Sequence, residues 1–273
     1  MTLASLRQIP PTALLGLVLI VAYALVGILA PLIAPYGEAQ IVGDQFLPWG
    51  GDYLLGTDNL GRDMLSRLIW GARNTVGVAL LTTLLAFLLG SIAGLLAAAL
   101  PGWVDMLLSR LVDVLMAVPS LIFTLLALSA LGPGIWNLIM VIAVLDATRV
   151  FRLARASAMN IMVMDYVEAA RLRGEGTWWI IRHEVLPNII APLIAEFGLR
   201  FCFVFLTISA LSFLGLGLPP PMADWGGMVR DNAALITFGD STPLLPAACI
   251  ALLTVSVNFV VDWLLHRASG LKE

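Results

Sequence analysis

YVEAARLRGEGTWWIIRHEVLPN, residues 166–188, gathers Glu168, Arg171, Arg173, Glu175, Arg182 and Glu184 into one short segment of a chain that is only 12% charged and 60% hydrophobic. From residue 166 to 181 apolar and charged positions recur at helical spacing. Val167, Ala170, Leu172, Trp178 and Ile181 are among the former, Glu168, Arg171, Arg173 and Glu175 among the latter. Gly174 and Gly176 fall in the middle, where poor helix propensity and tolerance of positive φ predict a break between two short helices. Pro187 marks a boundary before the next apolar run. Such a helix, glycine turn and helix is too polar to cross a bilayer. It reads either as a protein-docking element or as an amphipathic loop on anionic lipid with Trp178 and Trp179 as interfacial anchors.

Working outward, the flanking sequence is of a different kind. Mean hydropathy is +0.97, and the charged fraction is about half that of ordinary soluble domains. Most residues therefore face something other than water. Six apolar runs approach the roughly 20 residues that cross a hydrocarbon core, and they read as helices because lipid offers backbone groups no other partner. They are placed at 12–34, 74–100, 111–131, 135–155, 189–215 and 244–265, with Asp146 and Arg149 interrupting the fourth. The expected fold is an all-α integral membrane protein, one transmembrane domain over residues 1–273. An outer segment spans 35–73, and a cytoplasmic helix-turn-helix loop, about 156–188, joins spans four and five.

The first run follows Arg7 and is longer than the 7–15-residue apolar core of a secretory signal, so it reads as an uncleaved span. Cys202 and Cys249 both fall inside predicted spans, as small apolar residues rather than a disulfide framework. A cytoplasmic N-terminus puts Arg7, Arg110, Arg149, Arg152, Arg155, Arg171, Arg173, Arg182, Arg267 and Lys272 at or near the inner face. Arg62, Arg67, Arg73 and Arg230 remain outside, in keeping with the positive-inside bias. Both termini are thus expected in the cytoplasm.

Several chemistries are excluded by missing residues. His183-Glu184 would open an H-E-x-x-H zinc motif, but the second histidine position is Pro187; the other histidine, His266, lies at the far end, so no metal site is expected. A phosphate-binding G-x-x-x-x-G-K-[ST] loop needs a lysine, and the only one is Lys272, followed by Glu273. No nucleophile motif is found. The chain is expected to have no catalytic residues, no cofactor of its own and no nucleic-acid partner.

Glu168-Ala169-Ala170, Gly174 four residues on, and then Leu186-Pro187 resemble the E-A-A loop of permease subunits in bacterial binding-protein-dependent ABC importers. LGTDNLGRDMLSRLIWGAR at 55–73 and LSFLGLGLPPPMADWGGM at 211–228 are similar to the dipeptide, oligopeptide and nickel branch of that superfamily. So are LVDVLMAVPSL at 111–121, LGPG at 131–134, and Asn258 with Asp262. Two departures stand out: Glu184 sits where the loop commonly has isoleucine, and ATRV at 147–150 replaces a WP-x-Y element. The resemblance implies a permease of the cytoplasmic (inner) membrane forming half of a pathway for peptides, nickel chelates or other small polar solutes. It also implies a second homologous permease, two ATPase subunits or domains that use ATP and Mg, and an extracytoplasmic solute-binding protein. Glu168, Ala169, Ala170, Gly174, Leu186 and Pro187 would form the ATPase-coupling element. Glu168 would hydrogen-bond across the interface, the alanines would permit close packing, and Gly174 would set the turn.

Four further features carry structural expectations. Gly90 and Gly94 form a G-x-x-x-G that allows close helix packing, within the chain rather than between copies. Residues 58–73 can form an interfacial helix with Met64, Leu65, Leu68 and Ile69 toward the membrane and Arg62, Asp63 and Arg67 toward water. Trp225 is read as an interface anchor. Glu196 and Arg200 share a face of span five, where they are either a mutually satisfied packing pair or a polar lining of the pathway. Together with Asp113 and Asp146, they are what a stand-alone secondary transporter or channel would use.

Overall fold

A computed structural model describes residues 10–100 and 102–268 of the chain. Arg7, Lys272 and both termini, on which part of the orientation argument rests, lie outside the described residues. Ten α-helices follow in order: α1 Pro11–Ile33, α2 Met64–Ala99, α3 Trp103–Ala117, α4 Ser120–Leu131, α5 Ile135–Met162, α6 Asp165–Leu172, α7 Thr177–Ile180, α8 Leu186–Phe213, α9 Trp225–Asn232 and α10 Leu244–Ala268. A π-helical turn, Ile181–Val185, joins α7 to α8, and a 3-10 turn, Ala233–Phe238, follows α9. Among the described residues, β pairing is confined to isolated bridges in the 41–63 segment.

Among the described residues four stretches are long and apolar enough to cross a membrane, α1, α2, the continuous run Thr177–Phe213 and α10, or five if the bent α3–α4 pair is one span. The predicted third span is not one straight helix. It is broken at Val118-Pro119, where α3 and α4 meet at 88°, because proline disfavours helical backbone before it and cannot donate the helix bond. The fourth runs on to Met162 rather than ending at 155. Its 28 residues reach about 42 Å, so the loop between spans four and five begins only at Val163.

The G-x-x-x-G reading holds within the chain. A Cβ on Gly90 would stand 2.5 Å from the Ala147 carbonyl, and one on Gly94 would stand 2.8 Å from that of Phe151. Gly90 meets Ala147 and Val150 while Gly94 meets Phe151 and Ala154, so α2 and α5 run parallel and the bent α3–α4 pair returns the chain across the bundle. α3 buries none of its own side chains. It is tied to α5 by ion pairs instead: Arg155 Nη2 donates to Asp105 Oδ2 at 2.6 Å, and Arg152 Nη2 donates to Asp113 Oδ1 at 2.8 Å.

The main core joins α2, α5, α8, α9 and α10 around Met64, Leu138, Ile139, Phe205, Ile208, Leu211, Trp225 and Leu253. Its end opposite the 163–185 segment corrects two expectations. Residues 58–63 are not helical, and Arg62, Asp63 and Arg67 are not turned to water but are 6%, 4% and 4% exposed. The preceding loop and the loop between α8 and α9 fold over them and supply partners. Arg62 Nε bonds Asp58 at 2.7 Å, Arg67 Nη1 reaches the Pro221 carbonyl at 3.0 Å, and Asp63 caps α2 by accepting from Ser66 N–H at 2.8 Å. Trp225 is likewise no interface anchor: it is 1% exposed, wedged against α2. Beside it Asp224 caps α9 through Gly227 N–H, and burial pushes its carboxyl above the usual carboxylate range, opposed by that bond and by the Thr75 hydroxyl.

Candidate functional site

α6 is amphipathic and its two faces have different fates. Val167 and Ala170 are fully buried against Ala154 and Ala158 of α5, Ile180 of α7, Val185 of the π turn, and Ile189 and Leu193 of α8. Glu168 and Ala169 are exposed, and Leu172 is 84% exposed. Of the two alanines, then, only Ala169 is free to pack against another molecule. Ala170 is used inside the chain, because helical spacing puts it on the face of Val167.

The turn after α6 is the one foreseen from the glycines. Gly174 has φ +85°, its N–H bonds the Arg171 carbonyl at 2.9 Å, and Glu175 N–H reaches back to the Ala170 carbonyl at 3.2 Å. That bond pair is a Schellman cap with Gly174 in the left-handed position. Nothing lies within 4 Å of where its Cβ would be, so backbone conformation alone demands glycine there.

Pro187 does not end the helix as expected. The π turn Ile181–Val185 widens the backbone just before it, proline sits in the first turn of α8, and the chain stays helical from 177 to 213. Inside a continuous helix proline lacks a donor and its ring crowds the preceding turn, and the wider π turn makes room for it. Asn188 Nδ2 also donates to the Glu184 carbonyl at 2.6 Å. Leu186 is half-buried on the same small core and Pro187 is exposed. The 163–188 segment is therefore welded to the ends of α5 and α8 rather than hung from them.

Within the bundle, Glu196 and Arg200 do meet: Oε1 lies 2.7 Å from Nε, off the N–H direction, so the contact is an ion pair without an aligned hydrogen bond. They are not alone. Arg200 Nη1 also lies 3.5 Å from Asp146 Oδ1 on α5, and Arg149 Nη1 donates to that same oxygen at 3.1 Å. The Arg200 guanidinium stands over the Phe203 ring, 4.7 Å from its centroid. In the sequence Asp146 and Arg149 interrupt a span, Asp146 being also one of the charges a secondary transporter would use and Arg149 one of the inner-face arginines. Their three-residue spacing is the signal that they share a face, but nothing in it names α8 as the opposite side.

Comparison with known proteins agrees with this architecture. The family described as "Binding-protein-dependent transport system inner membrane component" matches residues 86–269. A di/tripeptide transport system permease protein, DppC, of Pseudomonas aeruginosa (strain UCBPP-PA14) is 38% identical, over 92% of this chain and 86% of its own length. The dipeptide permease DppC of Alkalihalophilus pseudofirmus is 33% identical over 92% and 83%. The glutathione transport system permease GsiD of Pectobacterium atrosepticum is 30% identical over 77% and 70%. Among solved structures, an amino acid ABC transporter with histidines superposes with a TM-score of 0.57 at 20% identity, over 74% of this chain and 94% of that one, and so shares the fold. An all-helical bundle with a capped, half-buried E-A-A helix, matched over two thirds of its length by one family, leaves a single assignment: the chain belongs to the inner-membrane permease components of binding-protein-dependent ABC importers.

Proposed function

We propose that this chain forms half of the translocation pathway of an ATP-driven importer for peptides or similar small polar solutes, and that residues 163–188 receive the stroke of a separate ATPase subunit. One observation carries the reading. α6 presents Glu168, Ala169 and Leu172 outward while Val167 and Ala170 lock it onto α5 and α8, so a push on the exposed face is delivered to two membrane helices together. Differential contact with two ATPase states is then enough to bias the bundle between two arrangements. ATP and Mg bind in the partner, since this chain has no phosphate-cradling loop. The peptide assignment is supported by relatives at 33–38% identity that are named for di- and tripeptide transport.

The remaining partners are a second homologous permease, a second ATPase subunit or domain, and an extracytoplasmic solute-binding protein, in the bacterial cytoplasmic membrane. The test is reconstitution of the complete complex in liposomes. Uptake of a dipeptide should require ATP and the binding protein and be blocked by vanadate. Uptake by this chain alone, driven by an ion gradient, would overturn the proposal in favour of a secondary transporter.

A further inference from the structure

The charge cluster of α5 and α8 leaves one acceptor unused. Both arginine contacts of Asp146 fall on Oδ1, while Oδ2 is buried with no hydrogen-bond partner among the described residues. A buried carboxylate oxygen without a donor is costly, and more so in a membrane bundle. The Asp146 side chain is one wall of a cleft of about 20 Å³, whose lining includes Ser120, Thr124, Arg149, Val204 and Thr207, enough for one water or an ammonium head group.

The lining fixes what the cleft can accept. Thr124 and Thr207 give their hydroxyl hydrogens to helix carbonyls, of Ser120 at 2.8 Å and Phe203 at 2.7 Å, so toward the cleft they offer only lone pairs. Arg149 is the opposite case: its side chain is 42% exposed and among the described residues only Nη1 has an acceptor, leaving several N–H groups free. The four charged residues sum to zero, so a lone cation or anion would arrive uncompensated in a low-dielectric setting. A ligand with an ammonium at one end and a carboxylate at the other supplies both missing partners and no net charge.

We infer that this cleft is a station for zwitterionic solutes, with the ammonium on Asp146 Oδ2 and the carboxylate on the free donors of Arg149. The inference rests on the importer reading for its biological setting, but its test does not. In the assembled complex in nanodiscs, with Cys202→Ala and Cys249→Ala, a Thr207→Cys reporter is alkylated by N-ethylmaleimide without ATP or binding protein. Free L-alanyl-L-alanine is expected to slow alkylation at least fivefold, and N-acetyl-alanyl-alanine amide to leave it unchanged. Asp146→Asn is expected to abolish the protection while alkylation without peptide persists.

No protection by the free dipeptide, equal protection by the blocked one, or protection that survives Asp146→Asn would each overturn the inference and leave Oδ2 to a water. Should Asp146→Asn fail to assemble, Arg149→Gln reads the other half of the site. Undiminished protection in that variant would overturn the carboxylate assignment. ATP-driven uptake by the same parent complex is scored separately, so loss of the importer reading and loss of the station give different results.

Discussion

The Trp225 indole lies directly on Gly71: a Cβ added at Gly71 would come within 2.5 Å of Trp225 Cδ1 and 2.7 Å of Nε1. The ring has little room to yield. Its N–H donates to the Leu68 carbonyl at 3.0 Å, and Tyr23 and Phe205 meet it edge-on at 5.6 and 6.2 Å between centroids. Gly71→Ala should therefore destabilise the bundle by about 1–3 kcal/mol, the usual penalty for overpacking a tight core. The check is thermal unfolding of the purified chain in detergent, where an unchanged midpoint would show that the ring can move aside.

Gly90 makes the same kind of contact between α2 and α5, with a virtual Cβ 2.5 Å from the Ala147 carbonyl and 2.6 Å from Val150 Cβ. Gly77, on the same helix, has nothing within 4 Å. Gly90→Val should part the helices and sharply lower recovery of folded protein, whereas Gly77→Ala should be neutral or slightly stabilising because alanine is the better helix former by about 1 kcal/mol. Equal yields of the two variants would remove the close-packing role of Gly90.

At Gly174 the demand is conformational rather than steric, with φ +85° and open space around it. Gly174→Val should cost about 1–3 kcal/mol of local strain and misplace α6, reducing ATP-driven uptake several-fold while membrane insertion is kept. Gly174→Asn should be milder, since asparagine tolerates the left-handed region. Uptake normalised to complex yield separates the cases; identical behaviour of Val and Asn would refute the backbone argument.

Exchanging Glu196 and Arg200 would restore a simple pair, but not this network. Glu196→Arg with Arg200→Glu would set a carboxylate opposite Asp146, now 3.5 Å from Arg200. The double variant should thus recover no more folded complex than the worse single one. Adding Asp146→Asn should bring part of it back. Full rescue by the two-residue swap would mean that Asp146 is not coupled to the pair.

The sequence by itself determined what depends on local chemistry and spacing. Apolar length marked membrane helices, Gly174 and its neighbours marked the turn after α6, the i, i+4 spacing put Glu196 beside Arg200, and the motifs of 55–73, 166–188 and 211–228 marked the importer family. Helical periodicity also gave the amphipathic face of α6. It could not say which molecule each face would meet, and so Ala170 was assigned to a partner when its own chain buries it.

Tertiary structure decided whatever depends on residues far apart in the chain. Arg62, Asp63 and Arg67 look like a water-facing stripe, yet they are buried because Asp58 and the Pro221 carbonyl come to them. Trp225 looks like an interfacial tryptophan and becomes a core wedge because Gly71 leaves a space for it across the bundle. Proline spoke differently in two places: Pro119 breaks the predicted third span at 88°, whereas at Pro187 a π turn absorbs the mismatch. The Asp146 cluster needs α5 and α8 side by side, and a charge is satisfied only by a partner at the right distance, whose place the order of residues along one helix does not encode.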